Sequence, residues 1–136
     1  MTVWYTNRTP EPPHPFSHSV TDGDWVLISG IGGHDAAGAI SDDLETQVRT
    51  AIGTLSELLA QAGSSLSEIV YFRPYVSERE HMEGMDKLLH ELLPRPRPAG
   101  GALTIGGLAD PRMKVEFEAW ARRGAILVER HPETGR

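Results

Sequence analysis

Residues 98–121 read PAGGALTIGGLADPRMKVEFEAWA, and the second half of this stretch decides the fold. Apolar and other side chains alternate there, with Val115, Phe117 and Ala119 on one side and Glu116, Glu118 and Trp120 on the other. A period of two is that of a β-strand, whose successive side chains point to opposite faces of a sheet. Glu116 and Glu118 therefore share one face, where a carboxylate is either solvated or held in a pocket.

Two helices are predicted from the spacing of apolar residues. In residues 44–62 apolar side chains recur at the spacing of an amphipathic helix, and Gly63 follows where a C-cap glycine belongs. Residues 77–80 read SERE, a capping-box pattern that predicts the start of a second helix reaching residue 92.

Further strands are predicted on both sides of these helices. Residues 25–29 (WVLIS) and 68–76 (EIVYFRPYV) are rich in β-forming residues. Pro74 has no backbone N–H to donate, which predicts a sheet edge, a bulge or the end of its strand. The glycine-rich residues 30–33 predict a turn, and residues 124–130 predict a final strand.

This order of elements predicts an α+β or α/β fold, with a sheet of about five or six strands and both helices on one face. The other face of the sheet would stay uncovered, which predicts a homo-oligomer. The 136 residues are expected to form one domain, residues 1–136. Residues 1–13 predict an extended, proline-rich lead-in, and residues 131–136 predict a mobile polar tail.

Composition argues against several classes of protein. The formal net charge is -6 and no basic block is present, so nucleic acid is not expected as a partner. No cysteine occurs, which excludes disulfides and cysteine-bound zinc. No apolar run approaches the ~20 residues of a membrane span, and no signal-peptide core precedes the domain, so we expect a cytoplasmic protein without membrane contact. Neither a metal nor a cofactor is predicted, because histidine pairs at metal-binding spacing and a phosphate-binding glycine loop are absent.

Three kinds of residue are candidates for chemistry. Glu116 or Glu118 is a candidate general acid or base, and the alternative is a solvated sheet face. His18 and His34 each flank a strand, and either one lines a pocket or lies at the surface. The glycine pair at residues 100–101 forms a bulge or leaves room for a ligand.

An ordered set of short motifs resembles the RidA/YjgF family of reactive-intermediate (enamine or imine) deaminases. The set runs from PFSHSV at residues 15–20, through ISG at residues 28–30, to PA at residues 98–99 and VEFEA at residues 115–119. The resemblance implies a chorismate-mutase-like α+β fold, with a mixed sheet of about six strands and two helices on one face, and a homotrimer whose ligand pockets lie between subunits. It also implies that Glu116 orients the attacking water.

The chain departs from the family pattern where the substrate would be held. The resemblance implies an arginine directly after residues 98–99 that pairs with the substrate carboxylate, and here that position is Gly100. The usual tyrosine and glutamine are replaced by Phe16 and Ile31. Loss of the planar, bidentate arginine clamp removes the main anchor for a 2-iminocarboxylate. The expected substrate-binding residues are Phe16, His18, Ser29, Gly30, Ile31, Gly100 and Gly101.

We therefore expect a RidA-like protein that binds a small molecule between subunits. It would act on an imine, enamine or enol-type metabolite with Glu116 as the acid/base or water-orienting residue, and its 2-iminopropanoate deaminase activity would be weak or absent. The alternative is a non-catalytic trimer that binds a metabolite or a protein partner. A ribonuclease, an activity sometimes attributed to this family, is not favoured by the acidic charge.

Overall fold

The structure is a computed structural model and describes residues 1–8 and 12–130. In this part of the chain two helices accompany a seven-stranded sheet, which confirms the predicted α+β class. The strands are β1 (Trp4–Thr6), β2 (Ser19–Asp22), β3 (Trp25–Gly32), β4 (Ile69–Val76), β5 (Ala99–Gly100), β6 (Leu103–Thr104) and β7 (Val115–Arg122); the helices are α1 (Leu44–Gln61) and α2 (Met82–Leu92). The predicted tail at residues 131–136 and residues 9–11 of the lead-in lie outside the described residues.

The sheet is mixed, as predicted. Its strand order is β1-β2-β3-β7-β4-β5, and β6 pairs with β4 beyond the end of β5. Neighbouring strands are antiparallel except for the two short strands, which run parallel to β4. The strand that alternates most regularly in sequence, β7, therefore lies in the middle of the sheet and pairs with β3 and β4.

Pro74 lies inside β4 rather than at its end. On one side of β4 it faces Phe117 of β7. On the other side, β5 pairs with Tyr71 and Phe72, while β6 pairs with Tyr75 and Val76. Pro74 thus falls at the interruption between two short edge strands, which is a position where a missing backbone donor is tolerated.

Both helices contribute to one apolar core on a single face of the sheet. Phe117 of β7 is fully buried, and its ring centroid lies 5.3 Å from that of Phe72 on β4. Burial of a side chain of this size stabilises the fold by roughly 1.5–3 kcal/mol. The core residues of α1 and α2 that meet these strands are Val48, Ala51, Ile52, Leu55, Leu58, Leu59, Met85 and Leu89.

The two helices begin differently. The Asp43 carboxylate accepts a hydrogen bond of 2.9 Å from the backbone N–H of Thr46, which is a side-chain N-cap for α1. The capping box predicted for the second helix is wrong. A 3-10 turn, Arg79–His81, precedes α2, and neither Glu78 nor His81 makes a side-chain capping bond. The tighter turn supplies the hydrogen bonds with which the helix begins.

Two further predictions of local structure are wrong. The turn predicted at residues 30–33 is instead the end of β3, because β7 supplies partners as far as Gly32, with a register shift between Ile28 and Ile31. The strand predicted at residues 124–130 is absent, since Gly124 turns the chain away after β7 and no described strand pairs with these residues.

The opposite face of the sheet is covered by no helix in the described part of the chain. It carries two exposed tryptophans, Trp25 of β3 and Trp120 of β7, whose ring centroids lie 6.2 Å apart in an edge-to-face arrangement. Arg73 of β4 lies on the same face, in register with Glu118. In residues 1–8 and 12–130, neither helix has the length and apolarity needed to cross a bilayer.

Candidate active site

A cleft of about 780 Å³ opens at the end of the sheet where β3 finishes and β7 starts. Its walls are β3, the start of β7, the segment before β2, and the loops that follow β3 and precede β7. Residues from all five segments and from β4 line it, including Arg8, Phe16, His18, Ser29, Gly30, Ile31, His34, Tyr75, Asp110, Arg112, Met113, Glu116 and Glu118. The structure therefore brings six of the eight sequence-predicted site residues together in one chain.

Glu116 is held against the backbone of β3. It pairs in register with Gly32, and its carboxylate lies over Gly30, where an added Cβ would come within 2.5 Å of Oε1. The Glu116 carboxylate therefore fits against β3 only because residue 30 is a glycine and has no side chain. Among the described residues the Glu116 carboxylate has no hydrogen-bond partner.

The surroundings of Glu116 favour its protonated form. Burial raises the pKa of the Glu116 carboxyl above its ordinary value, and the nearby negative charge of Glu118 raises it further, while His34 acts in the opposite direction. A carboxyl with a raised pKa holds its proton closer to neutral pH and can therefore act as an acid or a base.

Glu118, two residues along the same strand, has a different setting. Its Oε1 accepts a hydrogen bond of 2.6 Å from the Tyr75 hydroxyl. That bond raises the pKa of Tyr75, because loss of the phenolic proton would break it. Glu118 is thus fixed as a hydrogen-bond acceptor, whereas Glu116 is free to exchange a proton.

A second polar group faces the same cleft. His34 Nε2 lies 3.0 Å from Asp110 Oδ2, and the Arg112 guanidinium holds the same carboxylate through contacts of 2.6 and 3.0 Å. Arg112 and His34 hold the pKa of the Asp110 carboxyl well below its usual range. Asp110 is therefore ionised at any pH at which the protein would work.

Gln47 of α1 fixes the loop that carries Asp110. Its buried amide donates to the carbonyls of Ser41 and Arg112, at 2.7 and 3.0 Å, and accepts from the backbone N–H of Lys114 at 2.8 Å. A fully satisfied buried amide is a rigid anchor. Gln47 thus fixes both sides of Met113, directly before β7.

His18 and Ser29 are already engaged in hydrogen bonds within the chain. His18 Nδ1 accepts from the backbone N–H of Arg8 at 2.9 Å, and burial together with the Arg8 charge lowers the pKa of His18. The Ser29 hydroxyl donates to the Ser17 carbonyl at 2.5 Å. Phe16 is exposed and Ile31 is buried along the cleft. Within the described residues, His18 Nε2 and the Ser29 oxygen have no further partner and can contact a ligand.

Gly100 and Gly101 do not join the other predicted residues within one chain. They line a separate, smaller pocket of about 210 Å³ beside α2. Gly100 has a φ of +157° and pairs in parallel with Phe72, and a Cβ on it would run into the Phe72 carbonyl. A Cβ on Gly101 would meet nothing within 4 Å. A glycine is therefore required at residue 100, because the backbone of Phe72 lies too close for a side chain. No such contact requires a glycine at residue 101.

Three arginines near the predicted site each donate hydrogen bonds to other groups of the chain. Arg97 donates to the carbonyls at the end of α2, Leu89, His90 and Leu93. Arg73 contacts the Tyr71 hydroxyl and ring. Arg112 reaches the cleft, but its guanidinium is bound to Asp110.

Sequence reasoning did not find the pair formed by His34 and Asp110, which are 76 residues apart. In the sequence His34 is only a histidine beside a strand, and residues 109–112 (ADPR) have only a turn-like composition. The one local signal was an aspartate two residues before Arg112, a spacing that suits a carboxylate–guanidinium contact.

One further group of possible metal ligands lies outside the cleft. Among the described residues, Glu78, Glu80 and His81 bring ligand atoms within 4.8 Å of one another just before α2. Both glutamates are exposed, and none of the three residues lines the cleft.

With this geometry in place, comparison with known proteins identifies the family. The family model described as "Endoribonuclease L-PSP" matches residues 6–123. The chain belongs to this family, the RidA/YjgF family. The family predicted from the sequence is thereby confirmed.

Curated relatives and solved structures agree with this assignment. Protein mmf2, a mitochondrial protein of Schizosaccharomyces pombe, is 28% identical over 109 residues, which are 79% of this chain and 86% of mmf2. A RutC family protein of Pyrococcus abyssi is 24% identical over 121 residues, or 88% of this chain and 94% of the relative. The crystal structure of RidA from an Antarctic Psychrobacter superposes with a TM-score of 0.80 at 23% identity, covering 86% of this chain and 95% of that one. The likeness to that structure is one of fold.

Proposed function

We propose that the cleft binds a small imine, enamine or enol-type metabolite, and that Glu116 acts on it as the acid/base or water-orienting residue. The observation that carries this proposal is the setting of Glu116. Its carboxyl lies over Gly30, lines the cleft and has no hydrogen-bond partner among the described residues. A half-buried carboxyl with a raised pKa can take a proton from water and return it during one reaction.

The charges of the cleft favour a substrate without a carboxylate. Arg8 and Arg112 line it, but Arg112 is bound to Asp110 and Arg8 lies near Glu57 and the His34 carbonyl. A 2-iminocarboxylate would therefore meet Glu116 and Glu118 without a free guanidinium to offset them. The apolar part of the wall suits a bulkier, uncharged molecule and comprises Pro12, Pro13, Phe16, Ile31, Ile105 and Met113.

A homotrimer would complete the site, and we place it in the cytoplasm. The uncovered sheet face carries Trp25 and Trp120, and the Arg73 Nε is buried there without a partner among the described residues. Tyr75 and Glu118 belong both to this face and to the cleft lining. A neighbouring subunit packed on this face would therefore close one side of the cleft.

Turnover of imines generated in solution tests the proposed chemistry. A flavin oxidase acting on amino acids supplies carboxylated imines, an amine oxidase supplies uncharged ones, and semicarbazide traps whatever is not hydrolysed. Wild-type protein should remove uncharged imines faster than 2-iminopropanoate. Glu116→Gln should lose about 10²-fold or more in kcat, whereas Glu83→Gln, an exposed change on α2, should not. A rate on 2-iminopropanoate equal to that of an arginine-bearing relative would overturn the substrate preference.

Restoring an arginine tests why that preference exists. Gly101→Arg places an arginine next to the position implied by the family, at a site where an added Cβ meets no atom within 4 Å. It should raise turnover of 2-iminopropanoate relative to uncharged imines. Gly100→Arg is the matched control, because its side chain collides with the Phe72 carbonyl and should destabilise the fold instead. Equal effects of the two variants would contradict the role given to the missing clamp.

The same experiments identify the alternative function. A non-catalytic trimer would leave every imine to decay at its spontaneous rate, with wild type and Glu116→Gln indistinguishable. RNA cleavage is not expected, because the net charge is -6 and both glutamates of β7 line the cleft.

A further inference from the structure

We propose that His34, held by Asp110, is a second proton-transfer residue of the cleft and works opposite Glu116. This inference rests on the proposed function and adds to it the group that would protonate the substrate nitrogen. His34 and Asp110 both line the cleft and are partly buried, with side-chain exposures of 31% and 24%. They come from the loops after β3 and before β7, so the fold brings them to the end of the sheet where Glu116 lies.

The geometry leaves one ring nitrogen of His34 available. Nε2 is occupied by the Asp110 carboxylate at 3.0 Å. Nδ1 lies beside Gly32, only 3.3 Å from where a Cβ on that glycine would stand, and Gly32 is the residue paired with Glu116 across the two strands. The Glu116 carboxyl lies over Gly30, two residues earlier on the same strand. A Cβ on Gly32 would collide with the Cε of Met113 and lie close to the ring.

Asp110 acts as a positioning residue. An ionised carboxylate on Nε2 selects the tautomer with its proton on Nε2, and it stabilises the imidazolium that forms when Nδ1 is protonated. The Arg112 guanidinium and the Arg112 backbone N–H hold Asp110 from the other side. Gln47 holds the loop in turn through the Arg112 carbonyl. The ring is therefore fixed by a chain of bonded groups that reaches α1.

A second histidine–aspartate pair in the same chain lacks the features that distinguish the pair of His34 and Asp110. His90 and Asp86 on α2 also form a histidine–aspartate pair, at 3.5 Å, with side-chain exposures of 63% and 69%. Neither of them lines the cleft, and in the described residues neither side chain is bonded to an arginine. That pair is a surface i, i+4 contact of small energetic value, and it provides a matched control.

The hydrolysis of an imine balances with these two groups alone. Water adds its oxygen to the imine carbon while Glu116 takes one proton from it, and the imidazolium of His34 gives its Nδ1 proton to the nitrogen, which yields a carbinolamine. The carbon–nitrogen bond then breaks. His34 takes the hydroxyl proton as the carbonyl forms, and protonated Glu116 gives its proton to the leaving nitrogen. One water is consumed, one ammonia leaves, and both residues return to their starting states.

The proposal predicts a bell-shaped pH dependence of kcat in the wild type. Activity rises as Glu116 ionises and falls as His34 loses its proton. The charged groups that face His34 are Asp110 and Arg112 from the loop before β7, Glu116 from β7, and Arg8 from the N-terminal segment. The alkaline limb of the profile belongs to His34 and should disappear when the imidazole is removed.

The first measurement needs no substrate. Long-range ¹H–¹⁵N correlation spectra of the six histidines distinguish the two tautomers, and the signals absent from His34→Gln belong to His34. Neutral His34 should carry its proton on Nε2, and Asp110→Asn should weaken that preference. A neutral His34 protonated on Nδ1 would overturn the proposal.

The second measurement uses uncharged imines generated by an amine oxidase. His34→Gln should lower kcat about 10²-fold with little change in KM and should remove the alkaline limb. Asp110→Asn should lower kcat about tenfold. His90→Gln and Asp86→Asn should match the wild type. Circular dichroism checks folding, and Asp110→Asn carries the test if His34→Gln does not fold.

The outcomes separate the two proposals. Active wild type with a His34→Gln variant of equal kcat and unchanged pH profile overturns the role of His34 and leaves the proposed function standing. Wild type that accelerates no imine overturns the proposed function together with this inference.

Discussion

The two faces of β7 differ in what their side chains contact. On the covered face Val115, Phe117, Ala119 and Ala121 are fully buried beneath the helices. On the other face Glu116, Glu118, Trp120 and Arg122 meet no helix in the described part of the chain. Alternate side chains of β7 thus pack in the core. The others, which include two carboxylates and a tryptophan, lie on the face of the sheet that no described helix covers.

This difference separates stability from function along one strand. The residues of the covered face are explained by packing within the chain, because their contacts are the core itself. Packing within the chain does not explain the other face, since an exposed tryptophan and a half-buried, unpaired glutamate are both unfavourable in an isolated monomer. A ligand and a neighbouring subunit would explain them.

Phe117→Ala should have the largest effect of the changes considered on β7. The ring is fully buried against Phe72, so its removal leaves a cavity in the centre of the core. The free energy of unfolding should fall by about 3–5 kcal/mol. Urea denaturation at fixed protein concentration measures it. A loss below about 1 kcal/mol would mean that the covered face is not the core of the fold.

Trp120→Ala should weaken self-association more than it weakens the fold. The side chain is 48% exposed in one chain, so little of its packing is internal, whereas an interfacial tryptophan typically contributes about 2 kcal/mol or more to association. Analytical ultracentrifugation should show a trimer for the wild type and dissociation to smaller species for the variant at micromolar concentration. Trp4→Ala, at an exposed position of β1, is the matched control. A wild-type monomer would rule out the proposed use of this face.

Most of the fold is predictable because its main signals are local and periodic. The alternation in β7 and the apolar stripe of α1 each persist over several residues, so the strand, the helix and their buried faces follow from sequence. Predictions that depended on neighbouring chain segments were wrong. The strand β3 continues through a glycine-rich segment because β7 provides partners, and residues 124–130 form no strand because no described strand pairs with them.

Less of the candidate site is predictable, since it depends on which distant loops meet. Glu116 was identified by its motif, and the structure places it in a cleft with Ser29 and Gly30. The contact of His34 with Asp110 joins two loops 76 residues apart, and no periodicity encodes it. The reason for Gly100 is also non-local, because the atom that excludes a side chain belongs to the backbone of Phe72.

The smallest effect expected is a pH-dependent change in stability when Glu116 is replaced by glutamine. In the wild type the folded state holds the Glu116 proton more tightly than the unfolded state does, because its pKa is raised above 4.5 on folding. Folding stability should therefore fall as pH rises from 4.5 through the higher pKa of the folded state. Glu116→Gln removes this fall, so the variant should gain stability relative to the wild type between pH 4 and pH 8, whereas Glu83→Gln controls for loss of an exposed carboxylate. Denaturant midpoints at three pH values measure the difference. A gap that stays constant with pH would mean that Glu116 ionises as a solvated residue and that the two faces of β7 differ in packing alone. A gap that moves in favour of the wild type as pH rises would mean that the fold stabilises the Glu116 carboxylate, which contradicts a raised pKa.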